Sequence, residues 1–169
     1  MRANGGRPDV VRKLLLTISM SVVASLVACD SSGIAGPRDF IRLAEAEERW
    51  DARPFADYSF EIRTSCFCPP EINQWTRVSV RNGVVVDADA VEPDPNFPIT
   101  TLTYWQPIDS LFSRLRRTMS SGGSDSPYAD VKVTYDAELG YPTRIEYIEK
   151  PTVADAASTI TVRNVRSLN

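Results

Sequence analysis

Hydrophobic and polar positions repeat with two different periods along the chain, and these periods predict its secondary structure. Apolar residues recur every three or four positions over residues 39–50 and 108–119, which is typical of amphipathic helices. Asp39 is placed to cap the first helix, and Pro107 suits the first position of the second. The predicted inward stripes are Phe40, Leu43, Ala44, Glu47 and Trp50 in the first helix and Ile108, Leu111, Phe112, Leu115 and Met119 in the second.

Alternation of apolar and polar residues, together with turn signals, predicts strands between and after these helices. Residues 58–64 place Tyr58, Phe60 and Ile62 on one face, as in a half-buried strand. Asn82-Gly83 predicts a type I′ turn, because both residues tolerate positive φ. The predicted strands are 58–64, 75–81, 84–88, 131–135, 143–149 and 159–165, with loops at 87–98 and 120–127.

The order of the elements, α-β-β-β-α-β-β-β, predicts an α+β fold. Short connections between strands indicate antiparallel pairing, and one apolar face on each strand indicates a sheet that is covered on one side. We therefore expect an antiparallel sheet of about six strands with the two helices packed on one face. The pattern leaves open whether all the strands form a single sheet.

The N-terminal segment has the three parts of a secretory signal. Arg2, Arg7, Arg12 and Lys13 precede an uncharged apolar stretch, residues 14–28, that is shorter than the roughly 20 residues of a membrane-spanning helix. We predict a signal peptide over 1–28, a lipidated cysteine with a flexible tether over 29–38, and a single α+β domain over 39–169.

The string Leu26-Val27-Ala28-Cys29 resembles the bacterial lipobox. The resemblance implies diacylglycerol on the Cys29 sulfur, cleavage before Cys29, and acylation of the new amino group by a chain such as palmitate. Two or more acyl chains anchor a protein stably. The alternative is an ordinary cleaved signal with Cys29 as a free thiol. We expect a protein of the bacterial cell envelope, bound to a membrane through its lipid, and Asp30 resembles the inner-membrane retention signal of enteric lipoproteins.

Charge and composition exclude several classes of function. Residues 1–28 hold four of the 19 basic residues and one of the 22 acidic residues, so the rest of the chain has a formal charge of −6. This charge argues against nucleic acid or an anionic lipid surface as partner. The chain has no histidine, which excludes His-dependent triads and His-ligated zinc. No common cofactor motif occurs, and we predict no cofactor and no metal site.

Cys66 and Cys68 are the cysteines that remain if Cys29 is acylated. In an oxidising compartment such a pair predicts a disulfide, for which the chain must curl at Phe67. Pro69 and Pro70 are placed to end the strand there. A structural disulfide is the main interpretation. Thiol–disulfide exchange and binding of a soft metal remain alternatives, although two thiolates supply only half of a tetrahedral site.

A second motif, YDAELGYP at 135–142, is a candidate turn or binding motif. The main interpretation is a specialised hairpin turn with a stacked tyrosine, in which the glycine takes positive φ and the aspartate accepts backbone hydrogen bonds. Asp136 and Glu138 could alternatively form an acid/base pair. The acidic residues of the 87–98 loop lack the spacing of an EF-hand, and we interpret them as surface charges. The residues that define the candidate motif are Tyr135, Asp136, Gly140, Tyr141 and Pro142.

The combined pattern resembles a family of uncharacterised bacterial lipoproteins, a domain of unknown function. The resemblance covers roughly residues 40–165 and implies fold and location, but no activity. We expect a non-enzymatic envelope module that binds an unidentified envelope protein or ligand. Thiol–disulfide exchange or soft-metal handling is the alternative. The residues that carry the resemblance are Trp50, Tyr58, Phe60, Cys66, Cys68, Val78, Val80, Asn82, Gly83, Val84, Ile108, Leu111, Phe112, Val131, Val133, Tyr135, Asp136, Gly140, Tyr141, Pro142 and Ile145.

Overall fold

Six strands form one antiparallel sheet in the structure, a computed structural model that describes residues 34–121 and 126–168. The α+β class and the six-stranded antiparallel sheet are therefore confirmed, and all six strands belong to the same sheet. The strand order is β3-β2-β1-β6-β5-β4. The elements are α1 (Pro37–Asp51), β1 (Tyr58–Cys66), α2 (Pro70–Asn73), β2 (Thr76–Arg81), β3 (Val84–Ala90), α3 (Ile108–Ser120), β4 (Tyr128–Tyr135), β5 (Pro142–Glu149) and β6 (Ser158–Ser167).

Two three-stranded meanders meet at the centre of the sheet. Strands β1, β2 and β3 follow one another in space as in sequence, and so do β4, β5 and β6. The first strand of the chain and the last strand then pair with each other, from Tyr58 opposite Ser167 to Cys66 opposite Ser158. Strands β1 and β6 therefore lie at the centre of the sheet, with two further strands on each side of the pair.

One face of the sheet contributes to the hydrophobic core together with residues of α1 and α3. All five stripe residues predicted for α3 are buried, which confirms that stripe. In α1 the prediction is wrong at one position, because Ala44 is exposed and Ala46 is buried instead. Ala46 lies three residues after Leu43 and four before Trp50, on the same buried face of the helix, whereas Ala44 lies to one side of it. The carbonyl of Ala46 packs directly against Gly140 in the β4–β5 turn. The inward strand residues are Tyr58, Phe60, Ile62, Val78, Val80, Val131, Ile145, Tyr147, Ile160 and Val162.

Helix α1 starts at Pro37, two residues before the predicted start of the helix. Pro37 occupies the first helical turn, where its missing N–H costs nothing. Asp39 does not sit at the cap position. It lies inside the first turn and accepts a hydrogen bond from the Gly36 N–H at 3.0 Å. Ala35 is already buried against the core.

The hairpin predicted at Asn82-Gly83 is confirmed. Both residues have positive φ, 50° and 73°, and Arg81 pairs with Val84 across the two-residue loop. The loop that was predicted from residue 87 instead begins after Ala90, because Asp87 and Asp89 are part of β3 and point to the solvent-facing side of the sheet. Such charges on an edge strand also discourage pairing with another chain.

Candidate functional site

The Cys66-Phe67-Cys68 segment turns sharply at the end of β1. The two sulfur atoms lie within bonding contact, and the two Cα atoms are 5.3 Å apart, inside the range of bridged cysteines. The Asn73 side chain holds the turn from outside, since its Oδ1 accepts from the Cys66 N–H at 3.2 Å and its Nδ2 donates to the Cys68 carbonyl at 3.3 Å. Phe67, at the tip, is 86% exposed.

A single helical turn, α2, begins at the second of the two prolines and brings Asn73 back to the cysteines. The sequence predicted only the end of a strand here, because four residues carry no helical periodicity. Pro70 is suited to the first turn of a helix, where no N–H is needed. The cysteine turn and α2 therefore form one small unit that positions Asn73 and, two residues later, Trp75.

The 135–142 segment is a packed turn between β4 and β5. Asp136 Oδ1 accepts hydrogen bonds from the Glu138 and Leu139 N–H groups at 3.0 and 2.7 Å. Gly140 has φ +80°, and a Cβ built there would lie 2.1 Å from the Ala46 carbonyl oxygen. Tyr141 meets Trp50 edge-on with ring centroids 6.3 Å apart. The turn therefore packs directly against α1 and joins that helix to the sheet.

The tyrosines of this turn are held neutral by their surroundings. Burial raises the pKa of Tyr135 to about 12, and its ring stacks on Phe112 at 6.5 Å. Burial also raises the pKa of Tyr141, and the nearby Asp136 carboxylate raises it further. Groups that stay protonated in this way are poor general bases at neutral pH.

The structure does not bring the two sequence motifs together. Cys66 pairs with Ser158, and Ser158 pairs with Tyr147 near the far end of β5. Pro142, at the start of β5, is five residues away, or roughly 16 Å along the strand. The cysteine pair and the 135–142 turn are therefore separate features, and Cys29, like the predicted signal peptide, lies outside the described residues.

A polar network that the sequence did not predict lies on the solvent-facing side of the central strands, which we call the outer face. Glu61 of β1 has a side chain only 8% exposed, although it points away from the hydrophobic core. Its Oε1 accepts from Arg77 at 3.0 Å, and its Oε2 accepts from Arg163 at 2.9 Å and from Asn164 at 2.8 Å. Each carboxylate oxygen is thus paired with a donor.

A β-bulge in β6 makes this convergence possible. Ser59 pairs with Arg166 while Glu61 pairs with Arg163, so β6 has one residue more than β1 in this interval. Asn164 takes positive φ, 55°, at this point. Bulges re-aim side chains, and here two successive residues, Arg163 and Asn164, both reach Glu61. A regular strand would send them to opposite faces.

The charge of Glu61 is stabilised by these neighbours. Burial alone raises the pKa of the carboxyl group, but hydrogen bonds from Asn164, Arg77 and Arg163 outweigh burial and hold the pKa below its ordinary range. Glu61 is therefore an ionised, fixed acceptor that orients two arginines.

Next to this network, two arginines gather around one tryptophan. The guanidinium Cζ of Arg163 lies 3.8 Å from the Trp75 ring centroid, and that of Arg63 lies 5.1 Å from it. These distances permit cation–π attraction. Asn73, Gln74 and Glu92 join them around a cleft of about 220 Å³. The Gln74 Oε1 atom is buried and has no hydrogen-bond partner in the described part of the chain.

Cations outnumber carboxylates on the outer face, in contrast to the chain as a whole. Alternation along the paired strands assigns these positions, since each lies next to an inward residue. The cations are Arg63, Arg77, Arg81, Lys132, Arg144, Arg163 and Arg166, and the carboxylates are Glu61, Asp87, Asp89, Asp130 and Glu146.

A second polar cluster joins α1, β1 and α3 and is structural. The buried Tyr58 hydroxyl donates to Asp109 Oδ2 at 3.1 Å and accepts from the Ile108 N–H at 3.0 Å, so it caps α3. Trp50 Nε1 donates to Asp109 Oδ1 at 3.2 Å. Burial, and next the Asp109 charge, raise the pKa of Tyr58. Pro107 precedes α3 and does not lie in its first turn, contrary to the prediction.

Comparison with known proteins gives a family but no activity. A family of unknown function (DUF6174) matches residues 42–167, most of the chain. The chain belongs to this family. No curated protein and no solved structure matched the chain. The DUF6174 domain thus coincides with the sheet, α3 and most of α1.

Two further observations concern membranes and metals. None of the helices in residues 34–121 and 126–168 is long and apolar enough to cross a bilayer. Over the same ranges, no group of three or more His, Cys, Asp or Glu side chains is close enough to hold a metal ion. The Cys66–Cys68 pair consequently has no third potential ligand of these types within the described structure.

Proposed function

We propose that this protein is a lipid-anchored lipoprotein of the bacterial envelope that acts as a non-enzymatic binding module through the outer face of its sheet. Cys29 carries the lipid, and residues 30–36 connect it to the domain. With α1 and α3 both covering the inner face, the outer face is the broad surface left for a partner.

The observation that carries this proposal is the Glu61 network. Ion pairs on a solvated surface contribute little stability, and burying a carboxylate is costly unless it is fully hydrogen-bonded. A fold that needed only a stable sheet could place Ser or Thr at position 61, as it does at neighbouring outer-face positions such as Ser59, Ser79 and Thr161. Holding Arg77 and Arg163 in fixed orientations instead favours recognition, because preorganised side chains lose less entropy on binding.

The anchoring part of the proposal is tested by metabolic labelling with an alkyne-tagged palmitate. We expect label on the full chain and none on Cys29→Ser, with Cys66→Ser as the matched control that keeps its label. Label that persists in Cys29→Ser, or its absence from the native chain, would contradict the lipid anchor.

The binding part is tested by site-specific photo-crosslinking in cells. A photoreactive residue at Ser79 lies on the outer face, and one at Glu48 lies on the exposed side of α1. We expect defined adducts from position 79 and none of comparable yield from position 48. Adducts from position 48 alone would place the partner on the helices and refute the assignment.

A second function, thiol–disulfide exchange, is favoured by the bonding contact of Cys66 and Cys68 and by the exposed Phe67 between them. Intact mass measured with and without reductant reports the bond directly. Exchange requires that the pair turn over with a model dithiol at a rate abolished in Cys66→Ser. If that substitution only lowers the melting temperature, the cysteines are structural.

A further inference from the structure

We propose that the cleft between Arg63, Trp75 and Arg163 binds carboxylate side chains of an extended acidic polypeptide that lies along the outer face. This proposal rests on the proposed binding function and names the chemistry of its partner.

The two arginines differ in what already neutralises them. Arg163 donates through Nε to Glu61, which leaves its terminal nitrogens to other acceptors. Arg63 has no carboxylate partner in residues 34–121 and 126–168, and its guanidinium lies over the Trp75 ring instead. The two guanidinium groups lie near one indole and repel each other, and an anion that pairs with both of them offsets that repulsion. Planar, bidentate pairing with guanidinium is the geometry that carboxylates favour.

The charges at the cleft favour a carboxylate over a more highly charged anion. Glu92 lines the cleft, which penalises a doubly charged phosphate more than a carboxylate. The formal charge of −6 after residue 28 opposes a long polyanion such as nucleic acid at a distance, whereas a short acidic segment carries few charges.

The spacing of the cations supports an extended chain. Arg166 pairs with Ser59 across the β1–β6 ladder, and Arg163 pairs with Glu61. Arg63 is the next outward-facing residue of β1 after Glu61. Successive outward positions on a strand are roughly 6.6 Å apart, which is also the spacing of alternate side chains in an extended peptide. Acidic residues at every second position therefore match successive cations.

The test uses the full chain in non-ionic detergent and a fluorescein-labelled octapeptide of alternating Glu and Thr. Fluorescence anisotropy should detect binding that weakens with added salt, together with a change in tryptophan emission. The same peptide with Gln in place of Glu should bind at least tenfold more weakly. Arg63→Gln should weaken binding about tenfold, and Arg144→Gln, a cation on the same face but outside the cleft, should change it less than twofold.

Arg63 is the informative position because its substitution leaves the Glu61 network intact. Arg163→Gln should weaken binding at least as much, with circular dichroism as the check on its fold. Equal binding of the Gln peptide, no effect of Arg63→Gln, or tighter binding of oligogalacturonate or oligo(dT) than of the peptide would overturn this proposal. If crosslinks form at Ser79 while the peptide does not bind, only the partner chemistry fails. If neither occurs, the proposed binding function fails as well.

Discussion

The contact between Gly140 and α1 gives a sharp prediction about stability. In Gly140→Ala the new Cβ would lie 2.1 Å from the Ala46 carbonyl oxygen, 2.9 Å from Arg49 Cβ and 3.0 Å from the Ala46 carbonyl carbon. Two of these three atoms belong to the helix backbone, which cannot turn aside as a flexible side chain does. The helix and the turn must therefore separate, or the turn must change its conformation.

The expected cost has two parts. A non-glycine residue at φ +80° lowers the free energy of unfolding by about 1–2 kcal/mol, because its Cβ crowds the following carbonyl. Overpacking that shifts the backbone adds about 1–3 kcal/mol. We therefore expect Gly140→Ala to lower the free energy of unfolding by roughly 2–5 kcal/mol, a large part of the 5–15 kcal/mol that is typical of a domain.

Gly83 provides a matched control. It also has positive φ, +73°, but a Cβ built there meets nothing within 4 Å. Gly83→Ala should therefore lower the free energy of unfolding only by the conformational cost of positive φ, about 1–2 kcal/mol. The difference between the two variants isolates the contact with α1.

The assay is equilibrium urea unfolding followed by tryptophan fluorescence, in a Cys29→Ser background that keeps the protein free of lipid. Trp50 meets Tyr141 directly, so its emission reports separation of α1 from the turn. Equal losses of stability in the two glycine variants, or a loss below about 1 kcal/mol in Gly140→Ala, would refute the argument and reopen the 135–142 segment as a binding motif.

Three further predictions concern the stability contributed by Glu61, by Tyr58 and by the cysteine pair. Because the pKa of Glu61 is lower in the folded state, ionised Glu61 stabilises the fold above roughly pH 4.5, and this stabilisation is lost as the pH falls through the pKa of the folded state. Between pH 7 and pH 3, the free energy of unfolding in urea should therefore fall less for Glu61→Gln than for the native chain. Tyr58→Phe leaves the Ile108 N–H without its acceptor and should cost roughly 1–3 kcal/mol in the same assay, whereas Tyr104→Phe at an exposed site should cost almost nothing. Replacing Cys66 and Cys68 together by Ser should cost only about 1.5 kcal/mol, because the loop that they close is very short; a loss above 4 kcal/mol would contradict this account.

The sequence alone predicted the features that depend on neighbouring residues. The α3 stripe from Ile108 to Met119 and the alternation of Tyr58, Phe60 and Ile62 follow from the periods of the helix and the strand. The Asn82-Gly83 turn follows from the φ preferences of two adjacent residues. These features required no knowledge of distant parts of the chain, and the structure contains each of them.

Tertiary structure decided the features that depend on contacts between distant segments. The carbonyl of Ala46 packs against Gly140, 94 positions later, and no local pattern predicts this contact. The meeting of Glu61 with Arg163 across 102 residues requires the pairing of β1 with β6 and a bulge at Asn164, and neither leaves a local pattern. The cleft around Trp75 likewise forms only when β1, β6 and the end of α2 come together. Local propensity fixes the elements, but register between distant strands determines which side chains share a surface, and that register is set by the packing of the whole sheet.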